Sequence, residues 1–434
     1  MSKLNKNSSI SKIHMSNIPM SKRIIAYMTI LVGYFFYCYN FSVIDYVRPF
    51  LVENYGMTMQ QTAMFYTAQS LGALIGAFAC AWFAENIGRK KTLIAITLVN
   101  GICTIINMTF TGFEIWMAMR FIIGISLGGY YTVAVSTMVG LFQPKVRGKV
   151  VATASILFPI ATIVMANLGG IVGTEGWETL MWIGGVPPII AAFVMVFFVA
   201  DDRKVIPYGS SNEVKENKEV KEVKKGTWGE MFSKKYAKFT IFCILLSGLN
   251  FMAFQFFNGF VTVYLKDVRM FDLTTMGILI SASSSGQLIG GFLWGMMADK
   301  FGRKINALGF FLSAAMLCIY FIAPSNVLIL SIIGFLYGVG LNSASIWGGY
   351  FTEIFPEHLR SMGASLFHGG RIISLFAPSI VVFVGEMASL QVAMWGAPII
   401  FAIAAIIWLN LPETLKSGKL YKGYDPNASE LDAA

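Results

Sequence analysis

"GALIGAFACAWFAENIGRKK" (72–91) and "GQLIGGFLWGMMADKFGRKI" (286–305) are one passage written twice, 214 positions apart. Gly72 meets Gly286, Gly76 meets Gly290, and Ala84 meets Ala298. Glu85 meets Asp299, Gly88 meets Gly302, Arg89 meets Arg303 and Lys90 meets Lys304. Further along, Phe142 and Arg147 correspond to Phe355 and Arg360 at an offset of 213. Shared hydrophobicity does not place matching charges in equivalent loops, so the chain reads as a duplication.

The material around these passages is apolar. Of 434 residues, 56% are hydrophobic and 13% charged, against about 25% charged in a soluble domain. Twelve apolar stretches fall at about 24–50, 61–83, 92–110, 115–140, 150–173, 179–200, 239–264, 274–298, 305–323, 328–352, 362–384 and 390–411. Each is long enough to cross a hydrocarbon core of about 30 Å. A membrane β-barrel would show short alternating segments instead. The expected fold is an all-α polytopic membrane protein with twelve transmembrane helices in two pseudo-symmetric six-helix halves. The halves are 24–200 and 239–411, joined by the Lys/Glu-rich linker 201–238 and flanked by tails 1–23 and 412–434. The linker cannot bury a core of its own.

The net charge of +10 could speak for nucleic acid, but its placement does not. Lys and Arg gather in the N-terminal tail, in the loops at 89–91, 145–149 and 300–304, in the linker and in the C-terminal tail. The opposite loops hold little beyond Lys266 and Arg269. That bias puts both termini in the cytoplasm of a plasma-membrane protein. Residues 1–22 lack the apolar core of a signal peptide. The five cysteines lie unpaired in the spans and the three histidines are scattered, so no disulfide frame, metal site or cofactor is expected. No P-loop or nucleophile elbow is present, and an enzyme is not expected.

The repeated loop resembles the signature of the major facilitator superfamily, roughly G-x-x-x-D-x-x-G-R-K between the second and third spans, and the resemblance covers the whole chain. "GMMADKFGRK" (295–304) fits fully, while "AWFAENIGRK" (81–90) has Ala81 for Gly and Glu85 for Asp. The resemblance implies the twelve-helix fold, a monomeric transporter working by alternating access, and a gating latch of Glu85, Arg89, Asp299 and Arg303. Two further motifs, "TEIFPEHLRSMGAS" (352–365) and the closing "LPET" (411–414), are similar to sugar-porter, organic-ion and aromatic-acid branches. They add Glu353 and Arg360 to the latch. Gly140 stands where the first half would need Glu353's counterpart, so a single such contact is expected. "MRFIIGISLGG" (119–129) looks like the family's fourth-span motif. Its Arg120 is either a proton-coupling residue or a structural pin.

Arg371, in "SLFHGGRIISLFAPSI" (365–380), stands about nine residues into the eleventh span. At about 1.5 Å per residue it lies about 13 Å deep. No acid lies one turn away, because Phe367, His368, Ser374 and Leu375 occupy those places. A central arginine faces a cavity or a partner on another helix. Its guanidinium fits a carboxylate in a bidentate fork. The surrounding "GRIISLFAP" (370–378) resembles the organic-anion, nicotinate and aromatic-acid branches. Arg371 is thus either the ligand of a small organic anion or a pin.

In the first span, "YFFYCYNFSVIDYVRPF" (34–50) aligns with the family's proton-symport segments, but Tyr37 and Asn40 replace their acids. Asp45, three residues from Arg48, is either half of a salt bridge or a shifted proton site. Tyr34, Tyr37, Asn40, Gln255, Asn258, Gln287 and Trp347 complete the candidate binding set. The expected partners are a small organic anion, protons and the lipid bilayer, with no nucleic acid. A sugar or other neutral solute, an exchanger or uniporter without protons, drug efflux and a non-transporting receptor are the competing readings.

Overall fold

The computed structural model describes residues 13–143, 150, 153–173, 176–202, 205–206, 227–356, 359–416 and 419–420. Most of the linker, both tail ends and the loop at 144–149 lie outside these residues, as does the side chain of Arg360. Twelve helices are long and apolar enough to cross a bilayer. They are α1 (Met20–Tyr55), α2 (Met59–Asn86), α3 (Arg89–Thr109), α4 (Phe113–Leu141), α5 (Thr153–Val172) and α6 (Trp177–Phe198), followed by α7 (Ala237–Val268), α8 (Leu273–Phe301), α9 (Arg303–Ile322), α10 (Val327–Glu353), α11 (Met362–Met387) and α12 (Leu390–Leu409). Large apolar side chains such as Phe197, Ile171 and Ile322 point outward, as they must where lipid rather than water is the neighbour. Each half has its own buried cluster. Two short pairings accompany the bundle: β1 (Ile13–His14) runs parallel to β2 (Val205–Ile206), and β3 (Leu415–Lys416) antiparallel to β4 (Lys419–Leu420).

The duplication extends to atomic packing. Gly88 and Gly302 close the two signature loops at φ of 106° and 107°, a conformation open to glycine and costly for other residues. A Cβ on Gly72 would strike the Phe121 carbonyl, and one on Gly286 the Phe335 carbonyl. Gly124 likewise sits on the Gln69 carbonyl and Gly338 on the Ser283 carbonyl. All four contacts repeat at the offset of 214, so α2 against α4 and α8 against α10 are one close-packed small-residue interface used twice.

The loops holding Arg89 and Arg303 define a basic face, and the opposite end of the bundle is the far face. Among the described residues, every hydrogen bond between the halves lies from mid-bundle to the far face. Thr262 Oγ1 donates to the Asp45 carbonyl at 2.8 Å, Lys266 Nζ meets Glu53 at 2.5 Å, and Asn167 donates to Ser281 at 2.7 Å. Tyr66 pairs with Ser374 at 3.4 Å, and Thr67 donates to the Leu375 carbonyl at 2.9 Å. The halves are therefore joined toward the far face.

Candidate functional site

Arg371 sits in a helix that its neighbours interrupt. Gly370 lies so close to Ser247 and Gly248 of α7 that a Cβ would collide with them. Pro378 offers no N–H to the Ser374 carbonyl, and the helical segments Arg371–Ser374 and Ala377–Met387 are separated by a turn. The interruption presents Arg371 between α1 and α7. Its guanidinium stands 4.6 Å from the Phe251 ring centroid and 5.5 Å from that of Phe41. It is buried, and its Nε has no hydrogen-bond partner. No acid pairs with it among the described residues. Tyr37 and His368 are within electrostatic reach. Two aromatic faces stabilise a cation without supplying the two oxygens that a guanidinium fork accepts.

Beyond these rings lies a second compartment. Along α1 the order runs from Tyr37 through Phe41 to Asp45. Phe41 touches Phe158 of α5 at 5.8 Å, and Phe158 faces Phe254 of α7 at 6.3 Å. This belt of rings separates Arg371 from a cavity. Ser42, Asp45, Asn258, Ser283, Ser284 and Gln287 supply polar groups to its wall, and Gly334 of α10 forms part of its floor. The helix α7 is interrupted here, at Asn258–Phe260. The Asn258 amide donates to the Tyr337 hydroxyl at 2.6 Å. Interrupted helices at mid-bundle are where transporter folds build binding sites.

Asp45 accepts from Arg48 Nη2 at 2.7 Å, and Arg48 also lies 4.3 Å from the Phe260 ring. The fully buried Gln255 amide faces Asp45 without hydrogen-bond geometry. Arg120 is fully buried, with long contacts to the Asn40 carbonyl at 3.4 Å and Gln69 Oε1 at 3.5 Å. Its Nε and Nη2 have no hydrogen-bond partner among the described residues. Of the four buried charges nearest mid-bundle, three are arginines and one is a carboxylate.

The remaining candidates separate. Asn258 and Gln287 line the cavity. Tyr34 and Tyr37 stack at 5.1 Å and join Tyr130 on the basic side of Phe41. Asn40 points away from the cavity, donating to Asn100 at 3.2 Å and to the Gly184 carbonyl at 2.8 Å, so it ties α1 to α3 and α6. Trp347 packs inside the second half against Phe310 and Trp408, outside the cavity wall. At the basic face, Arg303 reaches Asp299 at 3.0 Å and Glu353 at 2.6 Å. Glu413 accepts from the Arg303 and Lys304 amides, and Thr414 donates to Glu353 at 2.6 Å. In the first half, Arg89 donates to the Ser136 carbonyl at 3.4 Å, and Glu85 is exposed without an ion pair to Arg89 among the described contacts. The sequence reading passed over Phe41, Phe251, Ser283, Ser284 and Gly334. Projecting the repeat from Arg120 onto Gly334 would have located the cavity.

The family model described as Major Facilitator Superfamily matches residues 30–272 and 243–424, and the chain belongs to that family. Its members are transporters rather than enzymes. The chain is 24% identical to the sialic acid transporter NanX of Escherichia coli over 90% of its own length and 93% of the relative's. It is 23% identical to the cis,cis-muconate transport protein of Acinetobacter baylyi, covering 90% and 92% of the two chains. It is also 23% identical to the niacin transporter NiaP of that organism, covering 92% and 96%. The fold matches the crystal structure of a D-xylose-proton symporter with a TM-score of 0.70 at 16% identity, over 92% of this chain and 99% of that one. A bacterial Spinster homologue, inward-facing and unoccupied, matches with a TM-score of 0.71 at 15% identity, over 91% and 98%.

Proposed function

We propose that the chain is a monomeric secondary transporter that carries a small organic carboxylate across the plasma membrane by alternating access. The observation that carries this reading is the Arg371 guanidinium, buried between two rings with no acid and no hydrogen bond at its Nε among the described residues. A permanent cation in the bilayer interior calls for an anion, and the excess of buried arginines over carboxylates at mid-bundle points the same way. The relatives named above, for sialic acid, muconate and niacin, support an organic acid as cargo. By the positive-inside bias the basic face and both termini are cytoplasmic, so halves joined at the far face describe an inward-facing state.

Coupling is by proton symport in this reading, with Asp45 the carboxyl placed to carry the proton between its bond to Arg48 and the cavity. A second reading, exchange or uniport without protons, is favoured by that same bond. An acid engaged at 2.7 Å by an arginine must break that bond before it can exchange a proton with the cavity. Recording internal pH while substrate enters vesicles separates them, since symport acidifies the lumen.

The test of the main reading is uptake by Arg371→Ala and Arg371→Lys. Losing one partner of a buried charged contact costs about 2–5 kcal/mol. Uptake of the carboxylate is therefore expected to fall about 30-fold or more in both variants, at about 1.4 kcal/mol per tenfold. Normal transport by both would refute the ligand role.

A further inference from the structure

The cavity on the far side of the ring belt belongs to the same ligand path but has different chemistry. Its one charge, Asp45, is already matched by Arg48 at 2.7 Å, which leaves a neutral chamber. Its remaining polar groups are hydroxyls and amides. Ser283 Oγ is buried without a partner. The side chains of Ser284 and Gln287 make no hydrogen bond among the described residues, and both line the wall. Asn258 keeps its amide oxygen free of the bond that its nitrogen makes to Tyr337.

The space is also made by specific residues rather than left by loose packing. In the first half the corresponding place is filled: Arg120 lies one turn before Gly124 and reaches Gln69. The positions 214 residues later are Gly334, one turn before Gly338, and Ser283. A Cβ at Gly334 would have only ordinary neighbours, at 3.8–3.9 Å. Two large polar side chains in one half are thus a glycine and a serine in the other, and the difference opens the chamber.

Arg371 and the chamber are two ring steps apart, 5.5 Å to Phe41 and 5.8 Å onward to Phe158 in its wall. A flat monocarboxylate held at Arg371 would end among the rings and leave the hydroxyls and amides beyond them unmatched. A ligand with a carboxylate at one end and a polyhydroxylated body at the other would satisfy both places once Phe41 and Phe158 turn aside, and an apolar ring face packs well on a sugar ring. Sites built to hydrogen-bond hydroxyls reject analogues lacking them far more strongly than apolar pockets reject added ones.

From this we infer that the cargo is a hydroxylated, sugar-acid-like carboxylate, with Ser283, Ser284, Asn258 and Gln287 as its specificity-determining contacts. The inference rests on the carboxylate reading of Arg371. The experiment is binding to the purified full-length transporter of four probes: sialic acid, glucuronate, nicotinate and glucose. It is run on the unaltered chain, on Arg371→Ala and on Ser284→Ala/Gln287→Ala. The expected result is sialic acid or glucuronate binding at least about tenfold tighter than nicotinate. The double variant should lower that ratio at least about fivefold, and Arg371→Ala should weaken every acid. Nicotinate binding as tightly as the sugar acids, or a ratio unchanged in the double variant, overturns the inference and leaves the carboxylate reading standing. Glucose binding without either sugar acid, acids indifferent to Arg371→Ala, or no acid bound at all overturns the carboxylate reading itself.

Discussion

In the first half α4 carries Arg120, and at the matching place in the second half α10 carries Gly334. Around this difference the two halves repeat one another closely, down to the carbonyls on which Gly124 and Gly338 rest. At this place one half is filled with large polar side chains, and the other leaves room for a cavity that residues of both halves line. The same division recurs in the helices. Among the described residues, α1 and α4 run unbroken, whereas their counterparts α7 and α10 are each interrupted. It recurs again at the basic face, where Arg303 has two acids and Arg89 a backbone carbonyl. A duplicated frame supplies the rigid packing, and its divergence supplies the candidate site.

The comparison can be broken most directly by filling the space. Gly334→Leu restores bulk to the second half at a position with room for a Cβ. The variant is expected to fold with a melting temperature near that of the parent and to lose uptake about tenfold or more, since one misplaced hydrocarbon group in a binding pocket is worth about 1–3 kcal/mol. Undiminished uptake would mean that the chamber is not on the path. The shared frame predicts the opposite pattern. Gly124→Ala and Gly338→Ala each drive a Cβ into a backbone carbonyl. Both should lower thermal stability by about 1–3 kcal/mol, and a clear difference between them would show that the interfaces are not equivalent.

A smaller effect is expected at the basic face. Glu353→Gln removes the charge that Arg303 and Thr414 both contact and should cost about 1–2 kcal/mol. Gly140→Glu, which gives the first half the acid it lacks, should change stability by less than about 1 kcal/mol. Thermal unfolding in detergent reads both. The smallest difference lies at the helix caps. Thr58 caps α2 through Gln61, and at the equivalent place Asp272 caps α8. Hydrogen bonds from the Thr275 hydroxyl and amide, and from the Thr274 amide, hold the Asp272 carboxyl below its ordinary value. Its share of stability is present above the unfolded carboxyl value of about 3.9 and is lost as pH falls through the lower folded value. Asp272→Ala should cost about 1 kcal/mol at neutral pH and less in acid, whereas the cost of Thr58→Ala should not change with pH.

Much of this architecture is legible in the sequence. Bilayer thickness dictates span length, so apolar runs mark helices, with edges that differ from the structure by at most a few residues. Matching charges expose the duplication. The i, i+3 spacing of Asp45 and Arg48 brings them to 2.7 Å, and an arginine in mid-span without a local acid has no acid paired with it among the described residues. The site is less legible because it is made of what is missing. Gly334 reads as one more small residue in an apolar run, and only its counterpart Arg120 gives it meaning. A polar or amphipathic residue within a span also looks alike whichever way it faces. Asn40 turns toward α3 and α6 and Trp347 toward α12, while Asn258 and Gln287 face the cavity.

The pair Lys266–Glu53 is the one ion pair crossing between the halves among the described residues, and it stands at the far face with side chains 26% and 61% exposed. An exposed pair contributes about 0.2–1 kcal/mol, and dissolved salt weakens it. The buried contacts beside it, such as Thr262 to the Asp45 carbonyl, are shielded from that screening. In the proposed alternating-access cycle, ionic strength on one side of the membrane therefore acts on the balance between the two orientations without touching the ligand's own contacts.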